Sequence, residues 1–256
     1  MRTCPLFFIL LLSPEIGALG ETGASHVSIV TEDAIQPQVA VDGDGNVYVV
    51  FLQRGNVAVS VSKEAGKSFG APVVAMDVGG RAQGGKQRGP RIGVDGRGWI
   101  YVSSPVTFDS AEYSRKYPTA ELYLVSSTDG GKTWTKPLQV NDVSKKAPES
   151  LHWLAVDPSG TVHAAWLDLR GRTTPGQDLY YAKIADGKVG ANRKIAALVC
   201  ECCAPGLAVD GAGRAFTAWR EGGDKPSREI LLAAVDGSSA LLKPHQLNTR
   251  PSNVPT

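Results

Sequence analysis

The chain has 256 residues, with 27 Lys and Arg against 25 Asp and Glu, for a formal net charge of +2. That balance argues against a nucleic-acid or membrane-surface partner, and no segment is apolar for long enough to span a bilayer. The 29 Gly and 16 Pro, with no convincing helical period beyond residue 20, point to a turn-rich all-β chain.

The first 20 residues read as a secretory signal. Met1 to Cys4 is a short basic start, Leu6 to Leu12 is an apolar stretch, and Ala18-Leu19-Gly20 offers the small residues a signal peptidase reads. Cys4 precedes the apolar stretch, which argues against a lipoprotein anchor. Cleavage after Gly20 would remove one Arg and one Glu, leaving the charge at +2. The expected mature chain, residues 21–256, is secreted or periplasmic and long enough for one domain with a sizeable core.

Four segments then repeat one pattern, an apolar run ending in Val-Asp, two turn residues, Gly, and a second apolar run. The shared aspartates are Asp42, Asp95, Asp157 and Asp210, spaced 95 − 42 = 53, 157 − 95 = 62 and 210 − 157 = 53. Asp at the first turn position and Gly at the fourth suit a type I turn. In Asp157-Pro158-Ser159-Gly160 a proline also stands at the second position, where its fixed φ helps. The runs after the turns (47–51, 100–104, 162–166, 215–219) are β-branched and aromatic, so each repeat opens with a hairpin. A third strand is predicted at 57–62, 121–126, 178–183 and 229–234, and a weaker fourth at 72–75, 138–140, 193–196 and 245–247. Four antiparallel strands per unit of this size are the pattern of a β-propeller blade, with blades at about 30–80, 81–143, 144–197 and 198–250.

The second blade carries Ser127-Thr128-Asp129-Gly130-Gly131-Lys132-Thr133-Trp134 between its third and fourth strands, which fits Ser-x-Asp-x-Gly-x-Thr-Trp. Ser127, Asp129, Gly131, Thr133 and Trp134 are read as structural, with the carboxylate tying down the turn and the indole largely buried. The first blade has a decayed copy at Ser62–Phe69, and the third keeps only Ala185-Asp186-Gly187.

These repeats and this motif resemble the bacterial secreted sialidase-like (Asp-box, or BNR-repeat) β-propeller family over roughly residues 30–250. The resemblance implies a propeller directed at extracellular glycans, and as an enzyme an exo-sialidase-like glycoside hydrolase. Six blades are expected in that family. The next Val-Asp would fall near 210 + 53 = 263, beyond Thr256, so a truncated six-bladed propeller is expected, the alternative being closure of four blades among themselves. In that family three arginines grip the substrate carboxylate, a Tyr–Glu pair supplies the nucleophile and an Asp is the acid/base. Its first arginine lies in an Arg-Ile-Pro motif, where this chain has Ile35-Gln36-Pro37, and its tyrosine belongs to a later blade. The catalytic set is therefore expected to be incomplete. The nearest substitutes are Arg91 and Arg88, whose bland reading is surface arginines. Asp168 and Arg170 are weaker candidates for touching a sugar, with a surface salt bridge as their bland reading. A non-catalytic carbohydrate- or protein-binding propeller is the alternative function.

The residues leading into each inner strand lie near the propeller axis, at 36–38, 88–91, 149–153 and 200–205. The last of these holds Cys200, Cys202 and Cys203. For a secreted chain the default is a disulfide, leaving one cysteine over. A vicinal Cys202–Cys203 bridge, a Cys200–Cys203 bridge, a partner beyond Thr256, a metal or redox module, or a free reactive thiol remain open. Three thiolates suit Cu(I) or Zn(II), with His152 as a fourth ligand. No cofactor is expected. His163 aligns with Tyr48, Tyr101 and Phe216 and is read as filling an aromatic packing position. Asp42-Gly43-Asp44-Gly45-Asn46 mimics the start of a calcium loop, but the other repeats mark it as a hairpin turn.

Overall fold

A computed structural model describes residues 27–85, 87–107, 120–143, 151–170, 176–222, 229–235 and 244–248. The signal reading, with Cys4, and residues 149–150 of the third inner-strand approach fall outside them. All regular structure among the described residues is β. Seventeen strands form four antiparallel sheets, each running from an inner to an outer strand. The first blade holds β1 (Ala34–Val41), β2 (Val47–Gln53), β3 (Asn56–Ser62) and β4 (Val73–Met76). The second holds β5 (Arg91–Val94), β6 (Ile100–Thr107), β7 (Ala120–Ser127) and β8 (Leu138–Gln139). The third holds β9 (His152–Val156), β10 (Val162–Asp168), β11 (Gln177–Ala185), β12 (Lys188–Val189) and β13 (Arg193–Val199). The fourth holds β14 (Gly206–Val209), β15 (Ala215–Arg220), β16 (Ile230–Val235) and β17 (His245–Gln246). The expected four strands per blade hold except in the third. There β12 and β13 both pair with β11, because the Asp186-Gly187 turn, with φ of 51° and 69°, closes a tight hairpin before the chain returns.

The repeated aspartate explains why each hairpin forms. In all four turns one carboxylate oxygen accepts the backbone N–H groups two and four residues on, at 2.8–3.0 Å. The fourth-position glycine donates its N–H to the aspartate carbonyl and takes a positive φ between 76° and 88°, which only glycine adopts without strain. The second oxygen reaches the next strand, meeting the Tyr48 hydroxyl at 2.8 Å in the first blade and the Tyr101 hydroxyl at 3.2 Å in the second. Burial alone would push the Asp42, Asp95 and Asp157 carboxyls up, but these hydrogen bonds hold them below the usual aspartate value.

The blades stack through three apolar clusters. Val50, Val59, Ile92, Ile100 and Val102 join the first two blades, Leu124, Leu154, Val162 and Trp166 the second and third, and Leu167, Leu179, Leu207 and Trp219 the last two. Each such fully buried side chain contributes about 1.5–3 kcal/mol. Gly93 lets β5 approach β9, since a Cβ there would stand 2.6 Å from Val156 Cγ2. At the two ends of the array a face is left open. Ile35, Val39 and Val41 of β1 are 60 %, 59 % and 59 % exposed, and Gly206 and Ala208 of β14 are exposed. An incomplete propeller presents two such faces.

The turn from Ser127 to Trp134 is built from its own side chains. Asp129 accepts from Lys132 N, Thr133 N and Ser127 Oγ through Oδ1, and from Thr133 Oγ1 through Oδ2 at 2.5 Å. Ser127 Oγ accepts the Gly131 N–H at 2.9 Å. Trp134 packs against the cluster between the first two blades but is only half-buried, a correction to the expected burial, because its Nε1 donates to Gly131 O at the surface of the turn. The decayed first-blade copy keeps the same wiring. Ser62 Oγ accepts the Gly66 N–H at 2.9 Å, and Ser68 Oγ donates to Glu64 at 2.9 Å, so the longer Glu takes the place of Asp.

Candidate functional site

The segments leading into the inner strands converge, as a propeller axis requires. Gln38 Oε1 accepts the Ile92 N–H at 2.8 Å, joining the first blade to the second. Gln87 Oε1 accepts the Ala204 N–H at 3.2 Å, across 117 residues, joining the second to the fourth. Gln36 and Gln87 both hold left-handed φ of 58°. Such strained backbone persists only where its surroundings over-determine it, and it gathers at functional sites.

Arg91 lies among these segments. Its guanidinium donates to Pro90 O at 3.2 Å and Gln87 O at 2.9 Å and lies 4.9 Å from the Trp153 ring centre. Its Nε is buried without a hydrogen-bond partner. No carboxylate among the described residues pairs with it, and burial lowers its pKa below the ordinary arginine value while leaving it charged. A desolvated guanidinium held by two carbonyls and an indole is a ready receptor for a planar anion. Arg88 sits half-buried beside it, its N–H bonded to Gly85 O.

The other sequence candidates are placed elsewhere. Asp168 is fully buried, and Arg170 clasps it through Nε at 2.9 Å and Nη2 at 2.7 Å. Arg170 also bonds Asp142 and Asn192 and stacks 4.3 Å over Tyr180. The pair is therefore a largely buried clamp between the second and third blades rather than an exposed salt bridge. His152 is buried on β9 with Nε2 2.9 Å from Ser103 Oγ. It does not join the thiols, which form a group of three by themselves among the described residues.

Cys200, Cys202 and Cys203 follow β13 on the loop into β14. The Cys200 N–H donates to Arg220 O at 2.9 Å, which fixes the loop against β15. The sulfurs stand 3.3 Å (Cys200–Cys202), 3.0 Å (Cys200–Cys203) and 3.9 Å (Cys202–Cys203) apart. None of these separations is that of a disulfide bond, about 2.05 Å. Burial opposes ionisation of Cys200, but its hydrogen bonding with Cys203 and Cys202 and the charge of Arg220 bring its pKa below the usual thiol value. Burial and the neighbouring sulfurs push Cys202 up to about 12.

Two polar contacts escaped sequence reasoning. Gln87 carries no signal beyond its place in the run from residue 86 to Arg91, because its role depends on a contact 117 residues away. His163 was read as packing, but its ring is polar-bonded. Nδ1 lies 2.7 Å from the Tyr181 hydroxyl and Nε2 points to Asp157 Oδ2 at 3.9 Å, the oxygen that meets a tyrosine in the first two blades. Burial drives its pKa down to about 4.

No protein-family model and no curated protein matches the sequence. Solved structures do resemble the fold. A Hadza microbial sialidase aligns with a TM-score of 0.53 at 16 % identity, over 79 % of this chain and 45 % of its own. The α-L-arabinanase of Penicillium chrysogenum, solved with arabinobiose, aligns with a TM-score of 0.59 at 14 % identity, over 84 % of this chain and 67 % of its own. The NanB sialidase of Streptococcus pneumoniae aligns with a TM-score of 0.55 at 10 % identity, over 89 % and 55 %. The chain thus spans about half the length of the sialidases it resembles. At these identities the likeness establishes the fold, a sialidase-like β-propeller.

Proposed function

We propose that this chain is a secreted Asp-box (BNR-repeat) propeller that binds acidic extracellular glycans at the mouth of its inner strands, with Arg91 receiving a sugar carboxylate. The observation that carries this reading is the state of Arg91. It is charged and half-buried, stacked on Trp153, with Nε unpaired and no acid beside it among the described residues. A buried charge without a partner is costly, and a carboxylate ligand would relieve that cost through paired N–H···O bonds. The sialidases, arabinanase and ulvan lyase that share the fold are named for glycan chemistry, which supports the substrate class. Binding without turnover is the favoured form. Ile35-Gln36-Pro37 places an amide where the resembled family has its first arginine. A glycan array carrying sialylated and uronic-acid oligosaccharides beside their neutral counterparts tests the reading. Retention of the acidic glycans is expected, and retention of neutral glycans alone would overturn it.

A further inference from the structure

We propose that Cys200, Cys202 and Cys203 form a three-coordinate thiolate site for a soft monovalent cation, Cu(I). This goes beyond glycan binding and does not depend on it. The three sulfurs converge on one another, every pair lying between 3.0 and 3.9 Å. A disulfide, at about 2.05 Å, would use two of them and strand the third. Three thiolates at about 2.3 Å from a central ion stand about 4 Å apart, so the sulfurs need to open by about 1 Å at most. Cys202 is exposed, which leaves its side chain room to do so.

The donor set selects the ion. Among the described residues the thiols are the whole group, with no His, Asp or Glu joining them. Structural Zn(II) takes four protein ligands, whereas soft sulfur ligands in small number suit Cu(I). Binding is a substitution without electron transfer, in which one Cu(I) displaces three thiol protons and the site becomes a copper tristhiolate of charge −2. Arg220 stands ready to offset that charge, with Nη1 3.9 Å from Cys203 Sγ. The loop is anchored at both ends, by Cys200 N to Arg220 O and by Ala204 N to Gln87, so the ligands are held before the metal arrives.

The test is an anaerobic titration of the reduced full-length Cys4→Ser chain with Cu(I) against a colorimetric Cu(I) chelator, followed by alkylation and peptide-resolved mass spectrometry. The expected result is one equivalent bound, thiolate-to-copper absorption in the ultraviolet, and protection of all three cysteines together. Cys202→Ser should weaken binding on the order of a hundredfold, and its metal-free melting temperature should match that of the parent because Cys202 is exposed. Protection of only two cysteines, unchanged affinity in Cys202→Ser, or displacement of Cu(I) by equimolar Zn(II) would each overturn the proposal. Glycan retention on the array is read independently, so failure of one proposal is distinguishable from failure of the other.

Discussion

The Arg91 guanidinium lies 4.9 Å from the ring centre of Trp153, on the inner strand of the next blade, and no carboxylate among the described residues pairs with it. The two side chains meet because Arg91 opens β5 and Trp153 stands one residue inside β9, on inner strands that Gly93 allows to pack closely. The stack orients the charge and shields it from water. It leaves the guanidinium without a paired carboxylate among the described residues.

The first prediction follows from Gln36, which stands where the resembled family has its first arginine. The full chain should show no sialidase turnover above background with a fluorogenic sialoside. Robust hydrolysis that disappears in Arg91→Ala would contradict the account.

Acid should weaken the fold through His163. Its folded pKa, about 4, lies below the ordinary histidine value of 6.5. Above pH 6.5 both folded and unfolded forms are neutral, so the full stability is present. As pH falls from 6.5 to 4 the unfolded chain takes up a proton that the folded chain refuses, and stability drops by on the order of 3 kcal/mol. Tyr181, Asp157 and Lys183 surround the ring, and the repeat aspartates titrate below this window. Denaturant melts at pH 7 and pH 4.5 measure the effect. His163→Phe, which copies Phe216, should flatten the difference, and an unchanged slope in that variant would assign the acid sensitivity elsewhere.

Removing the Ser127 hydroxyl should expose how the second-blade turn is held. Ser127→Ala leaves the buried Gly131 N–H without its acceptor and should cost about 1–3 kcal/mol. Asp129→Ala should also lower the melting temperature, since its carboxylate accepts four bonds. Neither change should alter glycan binding. Loss of binding at an unchanged melting temperature would move this turn into the site.

The first-blade copy offers a gain. Ala65 holds a left-handed φ of 51° where the second blade has Gly130 at 75°. That conformation costs a non-glycine residue about 1–2 kcal/mol, and glycine gives back part of the gain as unfolded-state entropy. Ala65→Gly should therefore raise stability by about 0.5 kcal/mol in a denaturant melt. A loss would show that the turn has relaxed around the alanine.

The fold was legible because it is written locally and four times. Each Val-Asp-x-x-Gly turn closes its hairpin with its own side chain, so the inner strands fall within a few residues of the expected spans. The extra strand of the third blade was not legible, since β12 has only Lys188 and Val189 to announce it. The site was legible only in part. Arg91 stood out by its place before an inner strand. Its bonds to Gln87 and Trp153, and that of Gln87 to Ala204, depend on how three blades meet, which no local pattern records. Asp168 and Arg170 misled for the opposite reason. Nearby opposite charges at a strand end read as surface, whereas Asp168 is buried and accepts from Trp166 Nε1 and Arg170 is mostly covered where it meets Asp142.

The most direct test of the central claim is calorimetric titration of the full chain with sialyllactose and with lactose, its neutral parent. The account predicts saturable binding of the acidic sugar, loss of about tenfold or more of that affinity in Arg91→Ala, weaker binding in Trp153→Ala, and unchanged melting temperature in Arg91→Ala. Equal affinity for the two sugars, or acidic-sugar binding that survives Arg91→Ala intact, would contradict it.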